Sequence, residues 1–474
     1  MSEQLVEKHA KLILNRVLHQ AEKDERDLAY HTPCKSEQAR KQSGSYYTPV
    51  DVAKFFWNQF FDASGISNPK QATAFVERHR FIEPSCGSGV LVYALLGKLL
   101  DLGIPLETMR NLDLHLVDFN TSALDYARRQ FSLINAALGA DYFAPCFEHT
   151  DFLTYEGLKS PRPIIVFGNP PFVSNPKGAK WKNTYADFFD RCLEVAAPLG
   201  AVHFIVPLSI AFSRDYSNLR DKLRSGCFAV YASHFDNIPD TLFKSGKPQS
   251  DNTNKANSQR CTIISAFVNR EHRLYSSPLH RWNTSERSAL LAGPTKFHDV
   301  TEYRMSDQFI RPTSIAMARY LQHQEFAYHL GDLTDARGSH VLHIGGVARN
   351  YISVRGETGS GVQAFAFNDR NSFYRFLGVV ASDIFLEYWR SVGDGFHVTR
   401  SNVLEFPVSK QLKVLIEASV PGINAMWKRR HSYEKTKLNS GTVVHSYDFS
   451  AVAPVLKDVL SQVSRNEKTR NEAQ

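Results

Sequence analysis

The chain has 474 residues, of which 43% are hydrophobic and 12% aromatic; this allows two or three folded domains and argues against a disordered protein. No apolar run is long enough to span a bilayer, and the six cysteines are scattered without a C-x-x-C pair, which argues against a structural zinc site and a disulfide framework. The net charge of +8 and the pI of about 9.0 favour a polyanionic partner, although many basic proteins bind none.

Three regions follow one another along the chain. Residues 1–45 predict a helical N-terminal arm, which the charge pattern marks as an amphipathic surface helix and not as a signal peptide. Residues 46–275 alternate short apolar strands with amphipathic helices, a pattern typical of an α/β domain with a largely parallel sheet. Residues 276–474 mix basic, aromatic and glycine residues without a clear period, and we treat them as a second domain.

The segment SYYTPVDVAKFFWNQFF, residues 45–61, predicts a helix with Thr48 as its N-cap and Pro49 at its first position. Its apolar face belongs to the core. The doubled tyrosine before it is not needed for the helix, and we expect it to flank a ligand.

The segment FIEPSCGSG, residues 81–89, contains the first motif with a chemical meaning. A predicted strand ends at Glu83, a turn with Gly87 and Gly89 follows, and a helix begins there. Glycines let a ligand approach the backbone, and the start of a helix offers free N–H groups. An ordinary strand–turn–helix connection has the same glycines, but the acid at the strand end disfavours phosphate and favours a cationic or hydroxyl-bearing ligand.

Two further acids follow predicted strands. Asp118 ends the strand LHLVD, where a carboxylate can take ribose hydroxyls or can cap the helix that begins near Thr121. In HTDFL, Asp151 and Phe152 could accept from an amino group and cover the face of a base, although the pair alone carries little information.

The segment GNPPF, residues 168–172, follows the buried strand PIIVFG. Two consecutive prolines fix the backbone and remove two donors, so the Asn169 side chain and the carbonyl of Pro170 remain as rigid acceptors. Phe172 adds an aromatic plate beside them. A stiff turn would explain the prolines, but acceptors beside an aromatic ring are what a planar exocyclic amine needs.

In the order YYTP, EPSCGSG, VDFN, TDFL and GNPPF, these motifs resemble the gamma-type adenine-N6 DNA methyltransferases. The resemblance covers residues 45 to about 270, and the segment 376–408 is similar to one found in the recognition domains of such enzymes. It implies a Rossmann-like S-adenosylmethionine-dependent catalytic domain over 46–275 and a C-terminal α+β target-recognition domain over 276–474. Glutamate in place of aspartate in the glycine motif and the long gap from Glu83 to Asp118 depart from the usual pattern.

The resemblance also implies a role for each motif residue. Tyr47 and Thr48 would contact the methionine part of S-adenosylmethionine, and Asp118 would hold its ribose. The same methionine part would be wrapped by Glu83, Gly87 and Gly89. The cofactor adenine would be held by Asp151 and Phe152. The catalytic motif would be Asn169, Pro170, Pro171 and Phe172.

Target-base and DNA contacts are expected beyond that motif. Phe172 would stack on the target base, and Phe243 is the candidate second aromatic. In the C-terminal domain, the basic patch of Lys428, Arg429 and Arg430 and the loop residues His397 and Arg400 are candidate DNA contacts, although a solvated helix face and a structural turn are the plainer interpretations.

The sequence therefore predicts a site-specific adenine-N6 DNA methyltransferase that flips its target base and forms the modification part of a restriction-modification system. Its partners would be double-stranded DNA and a separate restriction endonuclease; we expect a cytoplasmic monomer without a metal ion. The alternatives are methylation of an amino group in RNA or of a protein glutamine, a non-catalytic DNA-binding subunit, and a methyltransferase fused to a nuclease. The intact GNPPF motif argues against the second, and the 45-residue arm is too short for a nuclease fold.

Overall fold

The computed structural model describes residues 3–31, 48–156, 160–195, 200–226, 228–243, 259–268, 271–323, 325–348, 350–439 and 442–450. The chain divides into two compact units. The first comprises Met1–Tyr275 and His280–Phe297, and the second comprises Ser276–Leu279 and His298–Gln474. No helix among the described residues is both long enough and apolar enough to cross a membrane.

A mixed sheet forms the centre of the first unit. Its strands are β1 Arg80–Glu83, β2 Asp113–Asp118, β3 Cys146–His149, β4 Ile164–Gly168, β5 Ala201–Pro207, β6 Phe228–Phe235 and β7 Cys261–Val268, with β8 Arg273–His280 where the chain passes between the units. The order is β3-β2-β1-β4-β5-β7-β6-β8. Strands β1 to β5 pair in parallel, whereas β7 runs antiparallel between β5 and β6.

Strands β4 and β5 are almost continuously apolar because both faces of a parallel sheet are covered. Every position of β4 and β5 is buried, and the apolar run PIIVFG predicted β4 from the sequence. The predicted α/β class is therefore confirmed. Strands β2 and β3 lie on one side of β1, whereas β4 and β5 lie on the other side. The strand order therefore reverses between β1 and β4, which is where sheets of this kind bind ligands.

Eight helices are described in the first unit. They are α1 Glu3–His31, α2 Val50–Ser64, α3 Pro69–Arg78, α4 Val90–Asp101, α5 Thr121–Leu138, α6 Thr184–Val195, α7 Ser217–Ser225 and α8 Arg287–Ala292. The charge pattern predicted that α1 is a surface helix, but the structure shows that one face of α1 is part of the core. Its residues Ala10, Leu14, Leu18 and Ala21 are buried within the main apolar cluster.

Helix α2 begins one residue later than its sequence predicts. Its N-cap is Pro49, and no side chain caps the helix. The prediction of Thr48 as the N-cap is wrong, because the Thr48 hydroxyl accepts a hydrogen bond from Asn169 instead.

The second unit has the α+β class that the family resemblance implied. Its strands are β9 His298–Asp299, β10 Phe326–His329, β11 His340–Gly345, β12 Val354–Arg355, β13 Val362–Phe367, β14 Pro407–Ser409, β15 Glu434–Asn439 and β16 Thr442–Tyr447. An antiparallel sheet has the order β13-β11-β12-β16-β15, and β10 pairs with β14. The helices are α9 Ile315–His323, α10 Arg370–Val380, α11 Asp383–Val392, α12 Arg400–Leu404 and α13 Lys410–Lys428.

Candidate active site

Three neighbouring strands of the first unit deliver polar groups to one edge of the sheet. Strand β2 ends at Asp118, β1 at Glu83, and β4 at Gly168, which Asn169 follows directly. Since β1 lies between β2 and β4 and all three are parallel, their carboxyl ends meet at this edge. The acids that the sequence placed at strand ends are therefore brought together with the GNPPF motif.

The glycine turn between β1 and α4 has the backbone shape that the sequence predicts. Gly87 and Gly89 have φ values of 49° and 87°, in the left-handed region that glycine tolerates best. Gly89 is the N-cap of α4, and its N–H donates to the carbonyl of Cys86 over 2.8 Å. A Cβ atom on Gly89 would lie 3.0 Å from the Tyr93 ring, so a larger residue would disturb the start of the helix.

Asp118 is buried and connects this turn to the second strand. Its Oδ2 accepts from the Gly87 N–H at 3.0 Å, and its Oδ1 accepts from the Asn120 N–H at 2.8 Å. Burial raises the pKa of the Asp118 carboxyl above its ordinary value of 3.8, although these two hydrogen bonds act in the opposite direction. The alternative reading of Asp118 as the helix N-cap is wrong, since the Asn120 side chain caps α5 by accepting from the Ser122 N–H.

Asp151 and Phe152 follow β3, whose last residue pairs with Asp118, but they have different surroundings. Asp151 is exposed, and its Oδ1 accepts from the Leu153 N–H at 2.9 Å. The Phe152 ring is buried and packs on Phe188, with 5.1 Å between the ring centroids.

Phe119 is a residue of this edge that sequence reasoning missed. Its side chain is 75% exposed, although it directly follows the buried Asp118. His149, at the end of β3, contacts the Phe119 carbonyl over 2.9 Å and so joins the two strand ends. An aromatic residue immediately after a strand-end acid was the signal available in the sequence.

Asn169 is oriented by the segment that precedes α2. Its Nδ2 donates to the Thr48 hydroxyl at 3.3 Å, which turns the amide nitrogen toward that segment. The Asn169 carbonyl accepts from the Ser85 hydroxyl at 3.4 Å, so the loop after β4 is linked to the loop after β1. A Cβ on Gly168 would lie 3.3 Å from Pro84, which indicates how closely these two loops approach.

The aromatic residues proposed for the target base lie beside each other. Phe172 is half-buried, and its ring centroid is 6.2 Å from that of Phe243, with the ring planes 65° apart. The Tyr185 ring also lies near Phe172, with 6.3 Å between the ring centroids. Pro170 is buried and Pro171 half-buried, so the motif is held within the fold. Tyr47, the remaining cofactor candidate, lies outside the described residues.

The candidate DNA contacts of the second unit occupy two places. His397 and Arg400 are exposed near the start of α12; His397 pairs with Asp394 at 2.6 Å, and Arg400 lies over the Phe365 ring at 4.5 Å. At the end of α13, Lys428 and Arg429 are exposed, whereas the Arg430 guanidinium lies 5.0 Å from the Trp427 ring.

One group of potential metal ligands lies on β2 and β3. The ligand atoms of His115, Cys146 and Glu148 are all within 4.8 Å of one another. The His115 ring nitrogens contact Tyr155 and Asp113 at 3.1 and 3.0 Å, and the Cys146 thiol donates to Glu148. The group is thus a hydrogen-bonded cluster of the protein's own side chains.

A parallel sheet with a glycine turn after β1, an acid at the end of β2 and an antiparallel β7 has the Rossmann-like fold of the S-adenosylmethionine-dependent methyltransferases. No protein-family model matches the chain. The chain is similar to the modification methylase CviBIII of Paramecium bursaria Chlorella virus NC1A, with 23% identity over 197 residues that cover 39% of this chain and 43% of that protein. It thus spans less than half the length of this curated relative.

A solved structure supports the fold over most of the chain. The type IIL restriction-modification enzyme MmeI, in complex with DNA, superposes with a TM-score of 0.50 and 12% identity, covering 90% of this chain and 75% of that one. The predicted Rossmann-like fold is therefore confirmed, and the chain resembles a modification methylase over part of its length. The gamma type and the role of each residue stay predictions.

Proposed function

We propose that this protein is a site-specific DNA methyltransferase that transfers a methyl group from S-adenosylmethionine to the N6 amine of adenine, as the modification part of a restriction-modification system. The observation that carries the proposal is the meeting of Glu83, Asp118 and the GNPPF motif at the carboxyl edge of the parallel sheet. The Asn169 amide nitrogen donates to the Thr48 hydroxyl, which links this motif to the segment before α2.

The residues of the sheet edge fit the proposed cofactor. Gly87 and Gly89 have left-handed backbones that give a ligand close access to the turn, and Glu83 lies buried at its base. Asp118 is a buried carboxyl group with accepting capacity beyond its backbone donors, as ribose hydroxyls require. When bound, S-adenosylmethionine supplies a methyl group that its sulfonium already activates.

The chain's own residues would then prepare the target amine. An adenine amine is a poor nucleophile because its lone pair is delocalised into the ring. Hydrogen bonds from its two N–H groups to the Asn169 Oδ1 and the Pro170 carbonyl would favour a pyramidal nitrogen and localise that lone pair. Preorganised acceptors of this kind act mainly through orientation and electrostatics.

The two aromatic residues would contact the base in different ways. A base that stacks on Phe172 would meet the Phe243 ring at a steep angle, because the two ring planes are 65° apart. The exposed Phe119 ring is better placed than the buried Phe152 to cover an adenine at the cofactor edge, because Phe188 already packs on Phe152.

The target amine is buried in base pairing, so the adenine must leave the duplex to reach the site. We propose that the second unit binds the DNA and that the contacts are made by Lys428, Arg429, Arg430, His397 and Arg400. We also propose that the protein acts as a monomer in the cytoplasm, beside a separate endonuclease.

The test is transfer of label from radioactive S-adenosylmethionine. The full-length protein is incubated with unmethylated duplex DNA, total RNA or a protein extract, and the labelled product is identified after digestion. We expect N6-methyladenine from DNA. Label in RNA or in glutamine, with none in DNA, would replace this proposal by one of the alternatives.

A variant of Asn169 tests the site itself. Asn169→Ala should lower the transfer rate by about 100-fold or more, since loss of one preorganised hydrogen-bonding group commonly costs that much. Cofactor affinity, measured by calorimetry, should stay near that of the wild type. Loss of cofactor binding in this variant would contradict the assignment of Asn169 to the target amine. Asn218→Ala, which alters an exposed asparagine of α7, serves as the control and should leave the transfer rate near that of the wild type.

A further inference from the structure

The buried arginine Arg287, on α8, links two parts of the candidate active site. Its Nε and Nη2 donate to the two carboxylate oxygens of Asp51 at 2.6 and 3.0 Å. Its Nη1 donates to the carbonyl of Thr241 at 2.7 Å, and Nη2 also donates to the carbonyl of Leu242 at 2.8 Å. Four hydrogen bonds from one guanidinium therefore converge on two distant segments of the chain.

Both segments lead directly to residues of the candidate site. Asp51 lies in the first turn of α2, three positions after Thr48, whose hydroxyl orients Asn169. Thr241 and Leu242 immediately precede Phe243, whose ring contacts Phe172. The guanidinium thus connects the segment that orients the amine acceptor with the segment that carries the second aromatic ring.

The environment of Arg287 indicates a rigid connection. Its side chain is 3% exposed, whereas that of Asp51 is 37% exposed. A buried charge is tolerated only where it is paired and hydrogen-bonded, and this one has a two-point contact with a carboxylate. A lysine offers three donors from a single point and cannot reproduce a planar fork that reaches a carboxylate and two carbonyls together.

We propose that Arg287 is a positioning residue that holds Phe243 against the target-base site and fixes its distance from Asn169. This inference rests on the proposed function for its catalytic consequence. The hydrogen bonds themselves do not depend on it.

A double-mutant cycle tests the role in transfer. Arg287→Lys should lower the single-turnover transfer rate on unmethylated duplex DNA by about 100-fold, because misplacement by about 1 Å can cost that much. Phe243→Ala, which removes the ring itself, should lower the rate by about the same factor. If Arg287 acts through Phe243, the double variant should be within about threefold of the slower single variant. A rate loss in the double variant equal to the product of the two single losses would overturn the proposal.

Two controls separate positioning from a general loss of structure. Cofactor affinity should stay near the wild-type value in Arg287→Lys. Arg80→Lys alters another arginine–aspartate pair of the same unit, with Asp113, at the opposite edge of the sheet, and should leave the transfer rate near that of the wild type. A rate loss in Arg80→Lys equal to that in Arg287→Lys would also contradict a specific positioning role.

Hydrogen exchange measures the connection without any transfer. Residues 240–243 and the first turn of α2 should exchange faster in Arg287→Lys than in the wild type, and Arg80→Lys should leave both unchanged. Unchanged exchange in Arg287→Lys would overturn the inference even if the wild type proved inactive on DNA. Inactivity of the wild type, in contrast, would count only against the proposed function.

Discussion

At the scale of single residues, Asp118 is a carboxyl group whose burial opposes its charge. Its pKa is raised above 3.8 in the folded protein, mainly because the group is buried. Between pH 3.8 and the folded-state pKa the folded chain binds more protons at this group than the unfolded chain, so its contribution to stability falls as the pH rises through that window.

Asp118 therefore predicts a pH dependence of cofactor binding. The protonated acid is a poorer acceptor for ribose hydroxyls, so affinity should fall as the pH drops through the raised pKa, at a higher pH than an ordinary aspartate would require. Calorimetric binding of S-adenosylmethionine over a series of pH values measures the midpoint, with circular dichroism to confirm folding at each pH.

Asp118→Asn should bind the cofactor more weakly and lose this pH dependence. Asp125→Asn removes a negative charge from an exposed pair with Arg128 and should keep the wild-type profile. A profile in Asp118→Asn that matches the wild type would show that another group titrates.

At the scale of elements, the turn before α4 depends on the left-handed Gly89. Gly89→Ala should destabilise the protein by about 1–2 kcal/mol, because a Cβ disfavours this backbone, and should also weaken cofactor binding, because the Cβ would press on Tyr93. Urea unfolding and calorimetry measure the two effects.

Gly65 provides a matched control for this prediction. It ends α2 with a φ of 72°, and a Cβ there would meet no atom within 4 Å. Gly65→Ala should cost similar stability and leave cofactor affinity unchanged. Equal losses of affinity in the two variants would refute a specific role for the Gly89 turn.

Helix α1 gives the second prediction at this scale, since it packs against α4 and α5 as part of the core. Leu14 is 1% exposed and Leu12 55% exposed on the same helix. Leu14→Ala should lower the free energy of unfolding by about 2–5 kcal/mol, and Leu12→Ala by about 0.5 kcal/mol or less. Chemical denaturation measures both, and equal effects would mean that α1 is not packed as described.

At the scale of the whole molecule, the elements that the sequence predicted are those with local signals. Strand β4 was recognisable because all its positions are apolar and buried. Strand β6 was missed because its buried polar residues interrupt the apolar run: Ser233 pairs with Gln59, and His234 contacts Thr262 at 2.9 Å. Such partners lie far away in sequence and leave no periodic trace.

The candidate site shows the same division. Glu83, Asp118 and Asn169 were predictable because each lies at the end of a strand or directly after it, and the ends of neighbouring parallel strands meet. The pair of Arg287 and Asp51 is separated by 236 positions and was not predictable, because nothing in either local sequence specifies the other. The fold of the second unit was not predictable from the sequence for the same reason, since its sheet pairs residues far apart in the chain, such as Val354 of β12 and Tyr447 of β16.

The net charge of +8 leads to the last prediction, which concerns DNA binding by the whole chain. Arg429 is exposed at the end of α13, where a cation can reach a phosphate. If it does, Arg429→Ala should weaken binding to duplex DNA and reduce the slope of log affinity against log salt by about 0.9, one released counterion. Titrations between 50 and 200 mM salt measure this slope. Lys8→Ala removes an equal charge from an exposed position on α1 and should leave the slope unchanged. Equal changes of slope in the two variants would indicate a general charge effect and exclude a phosphate contact by Arg429.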